Sequence, residues 1–452
     1  MRPALSQSLG FVCSLALGAC LRGDAAPTDA ATFDSWDEPC DVRCADGGSR
    51  DDAADTHRTA GPDLHPDCPQ QSQRAYTLCL WTREADLSRI LRMPEARVEI
   101  DAAVGLAGKR YEGVELELHG GTSRGFEKKS YRLRFGSMRP SFDFFGDGPE
   151  PLERLVLQAA WIDPSFLRNK LVFDVLRELG ALAPRVGHAR VFLNGEPLGL
   201  YQVIERIDEN FLMEHGLSPE GNLYKAENHN ANFAPRDDPL AGFRERTHED
   251  SRAEDLAELF HVVNETSDAR LEERVAEYLH LGDFALWNQV MSFMLNLDTF
   301  SKNYYLYHDP AASHPDAGAV FRIIHWDADA SLGLWWTGER YDNPAQAQLY
   351  GERNVLSRRL YGRSSDRPYL EGLASLTAGP LAAAHLWARA DALLSRLRPE
   401  IEADLAQWHP ETSYEEERAF LKEMIFLREE VMSEAIMRAL ATGHERPETT
   451  ED

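Results

Sequence analysis

Basic residues are scarce in this 452-residue chain: 48 Lys and Arg stand against 75 Asp and Glu, a net charge of −27. Proteins that grip nucleic acid neutralise phosphates with a basic surface, so that class of partner is excluded. ATP is not excluded, because a few local cations and a divalent metal suffice to hold it. Cysteine is absent after Cys79. Beyond the N-terminus no apolar run reaches the roughly 18 residues of a membrane-spanning helix. Walker A, HExxH and GxGxxG sequences are missing as well, which removes the common motif-borne routes to phosphate, zinc and dinucleotide binding.

The N-terminus, MRPALSQSLGFVCSLALGAC, has Arg2 as a thin positive region and a short apolar stretch from Leu9 to Leu17. Leu17-Gly18-Ala19-Cys20 resembles a bacterial lipobox, in which the cysteine is lipidated and becomes the new N-terminus. An ordinary signal peptide cut after Ala19 is the alternative. The expected location is the bacterial cell envelope (periplasm, outer membrane or cell surface), with the membrane touched only through a lipid on Cys20. Four cysteines remain in the mature chain, Cys40, Cys44, Cys68 and Cys79. In an oxidising compartment they suggest two disulfides, with three possible pairings; a zinc site is the alternative. They are expected to stabilise the N-terminal region alone.

Residues 21–72 hold 12 acids and 4 bases with few aromatics. Such a stretch cannot bury enough apolar surface to offset its ordering entropy. The expected organisation is a signal over 1–20, an acidic tether over 21–74, a folded domain over 75–445 and a tail over 446–452. Val114–Leu118 and Tyr131–Phe135 alternate like half-buried strands around a glycine-rich turn, His119–Gly125. Residues 165–179 have helical spacing. Ala189–Leu193 and Leu200–Ile204 flank Asn194-Gly195, a strong hairpin turn. A helix is expected over 283–297, a strand over 320–324, and two long helices over 382–406 and 413–441. Strands dominate the first half and helices the second. This is an α+β pattern with segregated halves.

The residues with the most chemical content lie between 298 and 329. Phosphoryl transfer needs a carboxylate beside the acceptor hydroxyl and oxygen ligands that hold Mg²⁺ against the phosphates. Protein kinases place the base Asp five residues before a metal-binding Asn, with a further metal-binding Asp on a later strand. Asp298, Asn303 and Asp327 reproduce that order. Asp327 and Asp329, two apart on an extended strand, face the same way and favour a cation between them. Nucleotide phosphates also need a fixed cation, for which Lys128 and Lys129 are candidates. Lys128 shares parity with the polar face of the following strand and is preferred. Glu205 is the candidate partner for that lysine. Gly121-Thr-Ser123-Arg-Gly125 matches G-x-S-x-G, but a strand pattern follows it where a nucleophile elbow needs a helix.

Together HGGTSRGFEKKSYRLRF (119–135), LRNKLVFDVLRELG (167–180), FLNGEPLGLYQVIERIDENFL (192–212), NLDTFSKNYYLYHD (296–309) and HWDADASLG (325–333) resemble the spore coat protein H (CotH) kinase-like family over about residues 85–435. The resemblance implies a two-lobed atypical protein-kinase-like domain. It implies transfer of the ATP γ-phosphate, with Mg²⁺ or Mn²⁺, to Ser or Thr of an exported or surface protein. Asp298 would be the base, and Asn303, Asp327 and Asp329 the metal set. ATP would lie against Gly121, Ser123, Arg124, Gly125 and Lys128 or Lys129, with Glu205 holding the lysine. His325 departs from the family, where proline more often precedes Trp-Asp. The family also contains adhesin-like surface proteins, so a non-catalytic binding protein and an AMP transferase are the alternatives.

Overall fold

The computed structural model describes residues 68–69, 74–248, 252–362 and 366–442. The expected signal, most of the tether, the tail, Cys20, Cys40 and Cys44 lie outside the described residues. Thirteen strands run in chain order: β1 Tyr76–Thr82, β2 Ile100–Leu106, β3 Lys109–Leu118, β4 Tyr131–Phe135, β5 Ser141–Phe142, β6 Glu150–Pro151, β7 Arg154–Gln158, β8 Val186–Leu193, β9 Glu196–Ile204, β10 Asn222–Ala226, β11 Phe243–Glu245, β12 Tyr304–His308 and β13 Arg322–His325. The helices are α1 Glu84–Arg92, α2 Arg168–Glu178, α3 Glu209–Glu214, α4 Glu254–Glu265, α5 Leu271–Val275, α6 Leu281–Phe293, α7 Val355–Tyr361, α8 Arg367–Thr377, α9 Ala383–Trp408 and α10 Tyr414–Thr442.

Seven of the strands form a closed barrel in the order β1-β2-β3-β4-β7-β9-β8. The expectation of a two-lobed kinase-like domain is therefore wrong. Closure comes from β1, which pairs antiparallel with β2 and parallel with β8, Leu78 lying opposite Val191. A strand bonded on both sides leaves no free edge, and a sheet without edges is a barrel rather than an open lobe. The interior follows from alternation. On β3 and β4, Leu116, Leu118, Tyr131 and Leu133 point inward and are at most 3% exposed. Burying each such side chain contributes on the order of 1.5–3 kcal/mol. The outward Arg132 and Arg134 lie opposite Glu117 and Glu115 and pair with them.

The β8–β9 hairpin turns at Asn194 (φ 52°) and Gly195 (φ 89°), the left-handed pair that a two-residue turn requires. Beside the barrel stands a four-stranded sheet, β11-β10-β12-β13, backed by the helices and sharing their core. Its inner residues Tyr224, Ala226, Tyr304, Leu306 and Ile323 are at most 1% exposed. No helix among the described residues is long and apolar enough to cross a membrane.

Cys68 is bonded to Cys79. Cys79 is a β1 residue, packed against Trp81 and Ala103 on the barrel wall. This disulfide therefore acts on the barrel itself, which corrects the expectation that the cysteines serve the N-terminal region alone. It also removes both residues from any four-cysteine zinc site.

Candidate active site

A cavity of about 370 Å³ opens between the barrel and the inner edge of the four-stranded sheet. Its floor is made by two loops. One, between α6 and β12, carries Asp298 and Asn303; the other follows β13 and carries Asp327 and Asp329. Asn303 (φ 62°) and Asp327 (φ 57°) both hold left-handed backbone. Such conformations cost of order 1–3 kcal/mol and gather at functional sites. β13 ends at His325, so Asp327 and Asp329 do not share an extended strand as the spacing suggested. They reach one cavity because the loop turns at Asp327.

A buried polar network sets that loop. The Asn169 side chain, at the start of α2, accepts from Ala328 N (2.7 Å) and donates to Gln158 and Gln202 (3.0 Å each). Gln158 Nε2 then donates to Asp329 Oδ2 (2.9 Å). Arg168, fully buried, donates from its Nη1 to Asp163 (2.6 Å) and Glu417 (2.8 Å) and from its Nε to the Ser331 carbonyl (2.9 Å). Asp298 accepts from Asn303 Nδ2 (2.9 Å) and pairs with Lys302 (3.2 Å). The functional weight of Asn169, Gln158 and Arg168 escapes sequence reading. For Arg168 and Asn169 the one available signal is a polar pair that opens a helix rich in apolar residues.

The floor fits a divalent cation by donor chemistry. Two carboxylates and an amide carbonyl are hard oxygen ligands, and Mg²⁺ characteristically takes one or two carboxylates and completes its shell with phosphate oxygens. Among the described residues no three His, Cys, Asp or Glu side chains form a preformed ligand cluster; the Asn303 side chain lines the same floor. Burial and the neighbouring Asp298 push the Asp327 carboxyl above its usual range. Burial and Asp327 push the Asp329 carboxyl well above its usual range too. A cation relieves both.

The other predicted residues are placed differently. Lys128 is 1% exposed. Its ammonium donates to Asp404 Oδ2 on α9 and to the Leu200 carbonyl, both at 2.6 Å, between the rings of Phe166 and Tyr201. Lys129 donates to the carbonyls of Arg124 and Phe126 and braces the glycine-rich turn. Glu205 does not hold Lys128; it accepts from Arg185 Nη2 (2.7 Å) and Arg185 N (2.9 Å) away from the cavity lining. Gly121, Ser123 and Arg124 line the cavity and Gly125 does not. The Arg124 guanidinium is engaged by the carbonyls of Gly120 (2.7 Å) and Pro94 (3.2 Å). Thr122–Gly125 is a short 3₁₀ turn that runs on to β4, so no nucleophile elbow exists. Two histidines flank the floor. Burial, with Lys225 and Arg132 nearby, lowers His119 to about 3. Burial alone does the same to His325, whose ring is fully covered. Both are neutral at physiological pH.

Lys128 and Arg124 are among the cations that line the cavity; those the sequence did not single out include Arg132, Arg206, Lys225, Arg244, Arg246 and Lys302. The cleft thus sets acids on its floor against cations on its wall. The model described as CotH kinase protein covers residues 116–432, and the chain belongs to this CotH kinase-like family. It is similar to the inner spore coat protein H of Bacillus subtilis (strain 168), 28% identical over 249 residues. That alignment takes in 53% of this chain and 64% of the relative, so the chain spans less than two thirds of the relative's length.

Proposed function

We propose that this chain is a metal-dependent phosphotransferase that moves the ATP γ-phosphate to Ser or Thr hydroxyls of exported or surface proteins. The observation that carries the reading is the convergence of Asp298, Asn303, Asp327 and Asp329 on the floor of one cavity whose wall is basic. Asp327, Asp329 and the Asn303 carbonyl are the set that would hold Mg²⁺ or Mn²⁺, which supplies charge neutralisation at the β- and γ-phosphates. Asp298 is the general base. Asn303 and Lys302 fix its carboxylate. It takes the acceptor's proton as the hydroxyl oxygen bonds to the γ-phosphorus and the bridging bond to ADP breaks.

The test incubates the purified protein with labelled ATP, Mg²⁺ or Mn²⁺ and extracts of envelope proteins. Transfer by the wild type and loss of roughly 10²–10⁴-fold in Asp298→Asn is expected, the usual range for a general base. Equal transfer by both would remove Asp298 from the chemistry. Mass spectrometry of the product separates phosphoryl from adenylyl transfer. The envelope setting is part of the proposal, and a relative named as a spore coat protein supports it. Acylation at Cys20 is its anchor. A mature N-terminus that is free and partitions into the aqueous phase would dismiss the anchor.

A further inference from the structure

We infer that Lys225, with Arg246 and Arg206, forms the clamp that receives the phosphate chain of the bound substrate, the task that the sequence suggested for Lys128. The inference rests on the phosphotransferase reading for the nature of the ligand, and on the sheet for its geometry. Lys225 sits in the middle of β10, opposite Arg244 on β11 and Tyr305 on β12. Its neighbours Tyr224 and Ala226 point into the core, so alternation turns Lys225 to the cavity. Arg246 follows two residues after Arg244 and bonds through its backbone to Leu223. It therefore lies diagonal to Lys225, within reach of a shared ligand.

Charge balance on this wall is incomplete. Arg132 is paired with Glu117 at 2.6 Å and Arg244 with Glu227 at 3.0 Å. Among the described residues the Lys225 ammonium has no hydrogen-bond or ion-pair partner; it lies 5.7 Å from the Trp326 ring centroid and 5.9 Å from that of Tyr305. Arg246 Nε is buried and unpartnered. Arg206 reaches Asp208 only at 3.5 Å, and burial with Arg154 beside it lowers its guanidinium to about 10. Like charges gathered with fewer counter-charges than cations are unfavourable unless an anion arrives. The acidic floor supplies the complementary end. A ligand that suits both ends is a polyphosphate bridged to a cation. The Lys225 ammonium lies over the rings of Trp326 and Tyr305.

Inorganic tripolyphosphate without metal is the probe, titrated into the full-length protein by calorimetry. The wild type is expected to bind it. Lys225→Gln should weaken binding roughly 10-fold or more, as loss of one charge-assisted hydrogen bond does, and Lys225→Arg should restore most of it. Arg246→Gln is a second, independent variant, and Lys170→Gln on α2 serves as a remote control. Circular dichroism melts establish that each variant is folded. No binding by the wild type, or equal binding by wild type and both Gln variants, overturns the clamp. An acidic peptide whose binding depends on Lys225 while tripolyphosphate binding does not also overturns it, and gives the wall to the acceptor protein. These outcomes are independent of catalysis: a protein that binds tripolyphosphate through Lys225 but transfers nothing from ATP keeps the clamp and loses the phosphotransferase reading.

Discussion

Lys128 is where a kinase-trained eye puts the phosphate contact, and the structure gives it other work. Lys128→Met is the informative perturbation. Methionine keeps the stem among Phe166 and Tyr201 and removes the ammonium. Burial lowers the Lys128 pKa although Asp404 stands 2.6 Å away, and raises that of Asp404 although Lys128 faces it. The loss of water thus exceeds the mutual attraction in both directions. Removing one partner strands a buried charge, which costs about 3–5 kcal/mol. The Leu200 carbonyl loses its donor as well, while Leu200 N keeps Asp404 Oδ2 at 2.7 Å. In Lys128→Met/Asp404→Asn the stranded charge is gone and the amide oxygen still accepts from Leu200 N. That double variant should regain most of the loss. Urea denaturation gives the stabilities, and calorimetry with ATP and Mg²⁺ gives the affinities. The expected pattern is a large stability loss in the single variant, recovery in the double, and little change in ATP affinity for folded protein. Unchanged stability with ATP affinity lost would refute the reasoning and return Lys128 to the phosphates.

Asp327→Ala should abolish the rise in melting temperature that ATP with Mg²⁺ produces in the wild type, since ligand bound only to the folded state stabilises it by mass action; an equal rise in both proteins would remove Asp327 from the metal set. In EDTA-treated protein, Asp329→Asn should be stabilising at neutral pH. A carboxyl raised on folding lends stability below its unfolded pKa, near 3.8, and loses it as pH rises through the folded value. The variant's advantage therefore grows from pH 4 upward, and a gap that shrinks with rising pH would contradict the assignment. Replacing Cys68 and Cys79 together by Ser releases a loop of 11 residues, which costs about 3 kcal/mol in the chain-entropy account; thermal melts should register it for the whole barrel, with ATP affinity of the folded protein unchanged.

Local order was legible in the sequence wherever a rule acts over a few residues. Tyr131, Leu133 and Phe135 alternate and form β4; Asn194-Gly195 turns as such pairs do; the two long terminal helices lie within a residue or two of their periodic patterns. Barrel closure was not legible, because nothing in residues 76–82 says that they will lie beside residues 189–193. The acids of the floor were found because their chemistry is written in short spacing. Most of the cations were not. Lys128, preferred from strand parity, does line the cavity, but its carboxylate partner is 276 residues away, which no local pattern announces. Glu205 was taken for its partner, and Arg185 holds it instead. Lys225 had no motif; only the register of β10 against β11 and β12 turns it to the cavity.

The barrel's first strand, β1, has to wait for β8. β1 completes its bonding only when β8 arrives, and Lys128 gains its counter-charge only when Asp404 on α9 reaches it. A ribosome that has made every residue of the cavity floor has still not released the helix that seats the barrel above it. A chain that ends before α9 lacks the Asp404 carboxylate with which Lys128 pairs.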